Sequence, residues 1–380
     1  MIYFDNAATT CMKPPEVAVA VAHAIDSFGG VGRGVHEASL DAGMTVFSAR
    51  QQIANLFGYP NAKQMAFAYN ATEALNIAIC GLLKPGDHAV TTAASHNSVL
   101  RPLFRAQDAG QAEVTVVPIA PDGSLDYDAF EAAFVPNTRI VAVTHASNLT
   151  GDVYDIARMA KIAHAHGALI IVDAAQTAGI MPIDMTGDDL DVVCFTGHKS
   201  LYGPQGTGGL CVKEGVDIEA FKVGGSGTHS YDREHPAFMP EHLEAGTLNA
   251  HGIAGLLAGV TYIQNKGIDV IRNETKALAA RFESGVREIP NVKLYGGGGL
   301  DRTGIVALNI GDSDSAVVAD LLNVEYGICT RAGAHCAPLM HEALGTEHQG
   351  AVRFSFSHFN TEDEVDTGIA AIAEIAEELS

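Results

Sequence analysis

Between residues 64 and 212 the chain alternates short apolar, β-branched runs with stretches of helical period. Residues 64–69, 88–93, 113–117, 139–144, 168–172, 192–195 and 208–212 read as strands, and segments such as 156–166, or the one opening near Thr72, read as helices between them. Strands alternating with crossover helices make an α/β domain with a mostly parallel sheet, whose ligands bind beyond the carboxyl ends of the strands. Before the sheet, 14–27 and 37–57 have helical patterns, joined by the glycine-rich 29–34, which includes Arg33. After a second glycine-rich passage, 223–227, the pattern changes. Helices at about 250–265 and 270–288 lead into an α+β tail that ends in a helix from about Thr361. The expected layout is an N-terminal arm (1–14), a large domain (15–250) and a smaller α+β C-terminal domain (251–380), without internal repeats.

A chain of 380 residues exceeds one ordinary core. Its 47% hydrophobic and 18% charged residues suit a well-buried globular enzyme. The formal net charge of -22 would repel a phosphate backbone, which argues against a nucleic-acid partner. No apolar run approaches the ~20 residues of a membrane span. The opening MIYFDNAATT lacks a basic region followed by an apolar stretch, so the expected location is cytoplasmic. The cysteines, at 11, 80, 194, 211, 329 and 336, form no CxxC pair and no disulfide framework. Cys80, Cys194 and Cys211 lie in apolar runs and are expected in the core.

Two of the buried runs end in chemistry. Residues 168–172 lead into Asp173, with Gln176 three residues on, and 192–195 lead into Thr196-Gly197-His198-Lys199. A carboxylate that can keep a pyridine nitrogen protonated, beside a lysine that can form an imine, is what pyridoxal phosphate (PLP) chemistry needs. Nucleotide motifs fit less well. Residues 29–34 follow a helix rather than a strand, and no GxxxxGK[ST] occurs. Asn70-Ala71-Thr72-Glu73 turns a strand into a helix, where free amides favour an anion or simply an N-cap. Thr196 and His198 could complete a phosphate cup. His96, after strand 88–93, can lie against an aromatic cofactor and exchange protons. Asn148 follows strand 139–144 and can donate to a ring oxygen or make a turn. Arg353, in an alternating strand, suits bidentate grip of a substrate carboxylate. Cys336 sits in a short loop closed by Pro338, with Arg331 and His335 near in sequence, and has the setting of a nucleophile rather than of a core thiol. Cys329, His335, Cys336 and His341 match no common zinc spacing, and no metal is expected.

Taken in order, Tyr3 to Thr10 (YFDNAATT), Asn70-Ala71-Thr72-Glu73, Ser95-His96, Asp173-Ala174-Ala175-Gln176, Gly197-His198-Lys199, Tyr202-Gly203-Pro204, Glu244-Ala245-Gly246-Thr247 and Arg331 to Cys336 resemble the class V aminotransferase branch of PLP enzymes, of the cysteine desulfurase and selenocysteine lyase type. The tight loop at 331–338 is similar to the group II desulfurases, while the DNAATT opening is similar to group I, which suggests a group II-like side branch. The resemblance implies a fold-type-I homodimer with PLP. Lys199 would form the imine with the cofactor, Asp173 would hold the pyridine nitrogen, Gln176 the phenolic oxygen, and His96 would stack on the ring. Ala71, Thr72, Thr196 and His198 would hold the phosphate, joined by Thr247 of the other subunit. Asn148, Arg353, Arg331 and Asn6 would position the amino acid. The implied reaction converts L-cysteine to L-alanine and leaves sulfur on Cys336 for an acceptor protein or thiol. L-Selenocysteine cleavage, or another class V lyase or aminotransferase reaction, is the alternative.

Overall fold

The computed structural model describes residues 1–32, 34–298 and 301–379; Arg33 of the first glycine-rich loop lies outside them. The strands are β1 (Ile2–Tyr3), β2 (Met65–Ala68), β3 (Asp87–Thr92), β4 (Ala112–Val117), β5 (Thr138–Thr144), β6 (Leu169–Asp173), β7 (Val192–Thr196), β8 (Gly208–Val212), β9 (Val292–Tyr295), β10 (Ile305–Ile310), β11 (Ile328–Cys329) and β12 (Val352–Ser355). The α-helices are α1 (Pro15–Ser27), α2 (Glu37–Leu56), α3 (Ala71–Leu82), α4 (Asn97–Asp108), α5 (Tyr127–Ala132), α6 (Ile156–Ala165), α7 (Ala250–Lys266), α8 (Ile268–Arg287), α9 (Ser315–Tyr326), α10 (Pro338–Leu344) and α11 (Glu362–Glu378).

Seven strands form the central sheet in the order β2-β8-β7-β6-β5-β3-β4. β7, β6, β5, β3 and β4 run parallel, and β8 is antiparallel to both β7 and β2. The apolar runs are continuous because both faces are covered. In β7, Val193 and Phe195 face one core while Val192 and Cys194 face the other. The same alternation divides Ile170 and Val172 from Ile171, and Val141 and Val143 from Ile140 and Ala142. Leu75, Ala78, Ile79 and Leu82 of α3 fill one side, while Val46 and Ile53 of α2 with Ile253, Leu256 and Val260 of α7 fill the other. Cys194 and Cys211 are buried in this packing, whereas Cys80 is only half-buried and accepts a contact from the Arg105 guanidinium at 3.0 Å.

A second sheet, β12-β10-β9, is antiparallel and packs with α8, α9 and α11 around Phe282, Leu308, Phe354 and Ile372. The final helix starts as expected at Thr361, whose hydroxyl and the Glu364 carboxylate form a reciprocal cap. The two cores divide later than residue 250. The apolar face of α7 belongs to the large core, and Leu278 in α8 already belongs to the small one. The arm crosses between them. β1 pairs in parallel with β11, Phe4 enters the small core, and Thr10 reaches the large domain through a backbone bond from its N–H to the His198 carbonyl.

Candidate active site

The parallel strands deliver their last residues to one edge. Thr144 ends β5, Asp173 ends β6, Thr196 ends β7, and His96 follows β3 as the N-cap of α4. With Lys199 they line a cavity of about 260 Å³, whose other walls include Ala7 and Ala8 of the arm, Asn70 to Thr72 at the start of α3, and Arg331 and Arg353 of the small domain. The site is therefore built by both domains and closed by the arm. Backbones approach closely beneath it: a Cβ on Gly208 would lie 2.7 Å from the Asn70 Cα, so only glycine lets β8 pass under α3.

Lys199 is half-buried at the floor of this cavity. Burial pushes its ammonium down to about 8 against the opposing pull of Asp173, which makes the free amine accessible near neutral pH. Asp173 accepts the Ala175 N–H at 2.9 Å, and burial pushes its carboxyl upward. A cationic N–H against this carboxylate would offset that burial. His96 is held near 4 by burial first and then by Lys199, Arg331, Arg353 and Arg101, so it is a neutral imidazole. Its Nδ1 accepts the Ser98 N–H at 3.0 Å and lies 2.9 Å from the Ser98 hydroxyl, which in turn lies 2.8 Å from the Thr72 hydroxyl. Burial, then Lys199 and Lys13, also keeps His198 neutral, near 4.

The donor set fits PLP. Thr196 Oγ1 and His198 Nδ1 are buried without a partner among the described residues. Asn70 caps the Glu73 N–H, which leaves the Ala71 and Thr72 N–H groups of α3 without an acceptor among the described residues. These groups surround one end of the cavity as a phosphate would require, and Asp173 lies in the same cavity. Gln176 lines it too and donates from Nε2 to the Ala7 carbonyl at 3.2 Å.

Arg353 is 1% exposed and is no surface strand arginine. It donates to Asp5 Oδ1 and to the Asn148 carbonyl, each at 2.8 Å, while its Nε has no partner among the described residues. Asn148 donates to the His335 carbonyl at 2.7 Å and leaves Oδ1 unpartnered among the described residues. Arg331 lines the cavity beside Arg353, with their backbones bridged. Two sequence candidates lie elsewhere. The Asn6 amide donates to the Tyr3 and Ser355 carbonyls and to Asn360, which pins the arm to the small domain outside the cavity wall. Thr247 lines a different cavity with Tyr69, Glu73 and Lys222.

Cys336 is half-buried in the loop between β11 and α10. It lines a second cavity, which shares Thr72, His96 and Ser98 with the first. His335 and Cys336 both have left-handed backbones, φ 51 and 56, which turn the loop so that Cys336 accepts the Asn97 N–H at 2.8 Å. The His335 ring points inward, where it stacks on His341 and bonds the Arg331 carbonyl through Nε2, and burial holds it neutral, near 3. It therefore supplies no charge to the thiol. Among the described residues, no three His, Cys, Asp or Glu side chains gather to hold a metal, and no helix is long and apolar enough to cross a membrane. Sequence reasoning missed Asp5, Ser98 and Thr144.

These buried histidines make stability acid-sensitive. His145 and His335 sit near 4 and 3 against an unfolded value of 6.5, chiefly through burial. Below 6.5 the unfolded chain binds more protons than the folded one, so their contribution is complete above pH 6.5 and is lost as pH falls toward 4. Urea midpoints should fall across that window by the equivalent of a few kcal/mol, on the order of 1.4 kcal/mol per pH unit and histidine at most. A flat profile from pH 6.5 to 4 would contradict this assignment.

The model of the family described as aminotransferase class-V matches residues 2–367. A protein of Halobacterium salinarum named probable cysteine desulfurase is 36% identical, covering 98% of this chain and 91% of its own. One of Methanothermobacter thermautotrophicus with the same name is 34% identical over 99% and 94%. Among solved structures, an apo cysteine desulfurase from Thermococcus onnurineus superposes with a TM-score of 0.92 at 32% identity, over 99% of this chain and 95% of that one. A cysteine desulfurase from Escherichia coli, in an S-sulfonic acid form, gives 0.87 at 30% identity over 99% and 94%.

Proposed function

Because this chain belongs to the aminotransferase class-V family, a family of PLP enzymes, we propose that it is a cysteine desulfurase that converts L-cysteine to L-alanine and carries the sulfur on Cys336 as a persulfide. The observation that supports this most is the pairing of cavities: Lys199 and Asp173 in one, Cys336 in the next, with His96 and Thr72 in their common wall.

PLP, when bound, supplies an electron sink that lets an amino acid lose its Cα proton and makes its Sγ open to nucleophilic attack. Lys199 would hold the cofactor through Nζ, and its amine, of lowered basicity, is placed to take a proton from the substrate Cα. Asp173 would hold a proton on the pyridine nitrogen, Gln176 would meet the phenolic oxygen, and neutral His96 would cover the ring. Ala71 and Thr72 N–H, the Thr72 and Thr196 hydroxyls and His198 would hold the phosphate. Thr247 of a second copy would join them in a homodimer. Arg353, fixed by Asp5, orients the substrate carboxylate with Arg331 and Asn148, while Asn6 acts through the arm. The Cys336 thiolate attacks Sγ, takes the sulfur and leaves the alanine skeleton to be reprotonated. L-Selenocysteine is the alternative substrate for the same residues. The six cysteines are free thiols, in keeping with a cytoplasmic setting.

The test is a visible spectrum of the purified protein, followed by mass spectrometry of Cys336 after L-cysteine is added. A lysine-linked PLP band and a mass gain of one sulfur atom on the 336 peptide are expected. A colourless protein that stays so with added PLP, or sulfide release with Cys336 unmodified, would end this reading.

A further inference from the structure

The second cavity, about 400 Å³, has a charge unlike the rest of the molecule. Beyond the shared wall and Cys336 it is lined by Asn76, Asn97, Arg101, Pro102 and Arg105, with no carboxylate among the described lining residues. The chain as a whole carries 45 acidic residues against 23 Lys and Arg. Arg101 and Arg105, four positions apart on α4, present their guanidinium groups from the same helix face. Both are exposed, and Arg101 has no ion-pair or hydrogen-bond partner among the described residues. The first turn of α4, with its partial positive charge, points into the same space and holds the Cys336 carbonyl. Because Cys336 is fastened to α4 through Asn97 and its neighbour His335 to Asn148, whatever takes sulfur from Cys336 must come to it.

Resting on the reading of Cys336 as the sulfur carrier, we propose that this outer cavity is the acceptor site, and that it takes a small thiol bearing carboxylates, gripped by Arg101 and Arg105. Its size is that of a small-ligand pocket (roughly 300–1,000 Å³) rather than of a protein interface. The acceptor thiolate attacks the outer sulfur of the Cys336 persulfide. A new S–S bond forms between acceptor and transferred sulfur, the bond to Cys336 Sγ breaks, and its electron pair leaves Cys336 as a thiolate. The acceptor departs as a persulfide, and no outside oxidant or reductant enters. Elsewhere the negative surface discourages such anions, so the two arginines account for the preference.

The holoenzyme is loaded with L-cysteine, the persulfide on Cys336 is quantified by mass, and its loss is then followed with mercaptosuccinate, 2-mercaptoethanol or thiocholine. Each thiol is compared between wild type and Arg101→Gln/Arg105→Gln, so that intrinsic reactivity and differences in loading divide out. The mercaptosuccinate-to-thiocholine ratio should fall about tenfold in the double variant, and salt should narrow it in wild type. Arg101→Lys/Arg105→Lys should keep most of the preference. An unchanged ratio on a loaded enzyme overturns the acceptor site alone, whereas absence of the sulfur on Cys336 overturns the desulfurase reading with it.

Discussion

Lys199→Ala is expected to abolish turnover, lowering alanine production from L-cysteine by at least about 10⁴-fold. In the proposed reaction Lys199 has two roles, as the covalent anchor and as the base at Cα, and no other lysine lines the cavity among the described residues. Its burial, which lowers its basicity to about 8, makes the free amine available and cannot be reproduced by solvent amines at ordinary concentrations. The fold should tolerate the change, because the His198 and Lys199 carbonyls stay bonded to Thr10 whatever the side chain. PLP should still bind through Asp173, Thr196 and His198, but with the spectrum of the free aldehyde. Activity within about tenfold of wild type would remove Lys199 from the mechanism.

Cys336→Ala should cut alanine formation from L-cysteine on the order of 10³-fold while leaving the PLP band unchanged. Without that thiolate, sulfur has no acceptor in the site, and His335, buried and neutral behind the loop, offers no substitute. The contacts that shape the loop are backbone bonds of residues 333, 336 and 337 and a side-chain bond to the 335 carbonyl, which alanine at 336 preserves. L-Selenocysteine distinguishes the substrates. If the variant keeps turning it over while L-cysteine stalls, selenium leaves unaided and sulfur needs Cys336. Undiminished alanine and sulfide from L-cysteine would rule out the persulfide route.

Much of the site was legible because the sheet concentrates function at strand ends. Asp173, Thr196 and His96 follow apolar runs whose length and flanks mark them as strands, and the edge to which they lead follows from the parallel order. The antiparallel direction of β8 was not legible, since Gly208–Val212 is as apolar as its parallel neighbours and pattern carries no direction. The α4 helix is obscured by Pro102 in its interior. Ser98 matters only because the first turn of that helix meets Thr72, 26 positions earlier. Asp5 joins Arg353 across 348 positions, a contact no local pattern encodes. His335 was near Cys336 in sequence yet faces away, because two consecutive left-handed residues invert the loop.

The path of the arm has a consequence for how the molecule is made. Asn6 bonds the Ser355 carbonyl across 349 positions, and the strand partners of Ile2 and Tyr3 are Ile328 and Cys329. Closing so long a loop adds little free energy, about 0.6 kcal/mol for each doubling, but such distant pairings form late. During synthesis the large core can condense while the arm, N-terminal to everything it touches, waits for β11 and β12 to emerge. Until then Ala7 and Ala8 are missing from the cavity wall, and Arg353 has not met Asp5. The end of the cavity that holds Arg331 and Arg353 is thereby the last part of the site to be finished, whereas Lys199, Asp173 and Thr196 already stand on the completed large sheet.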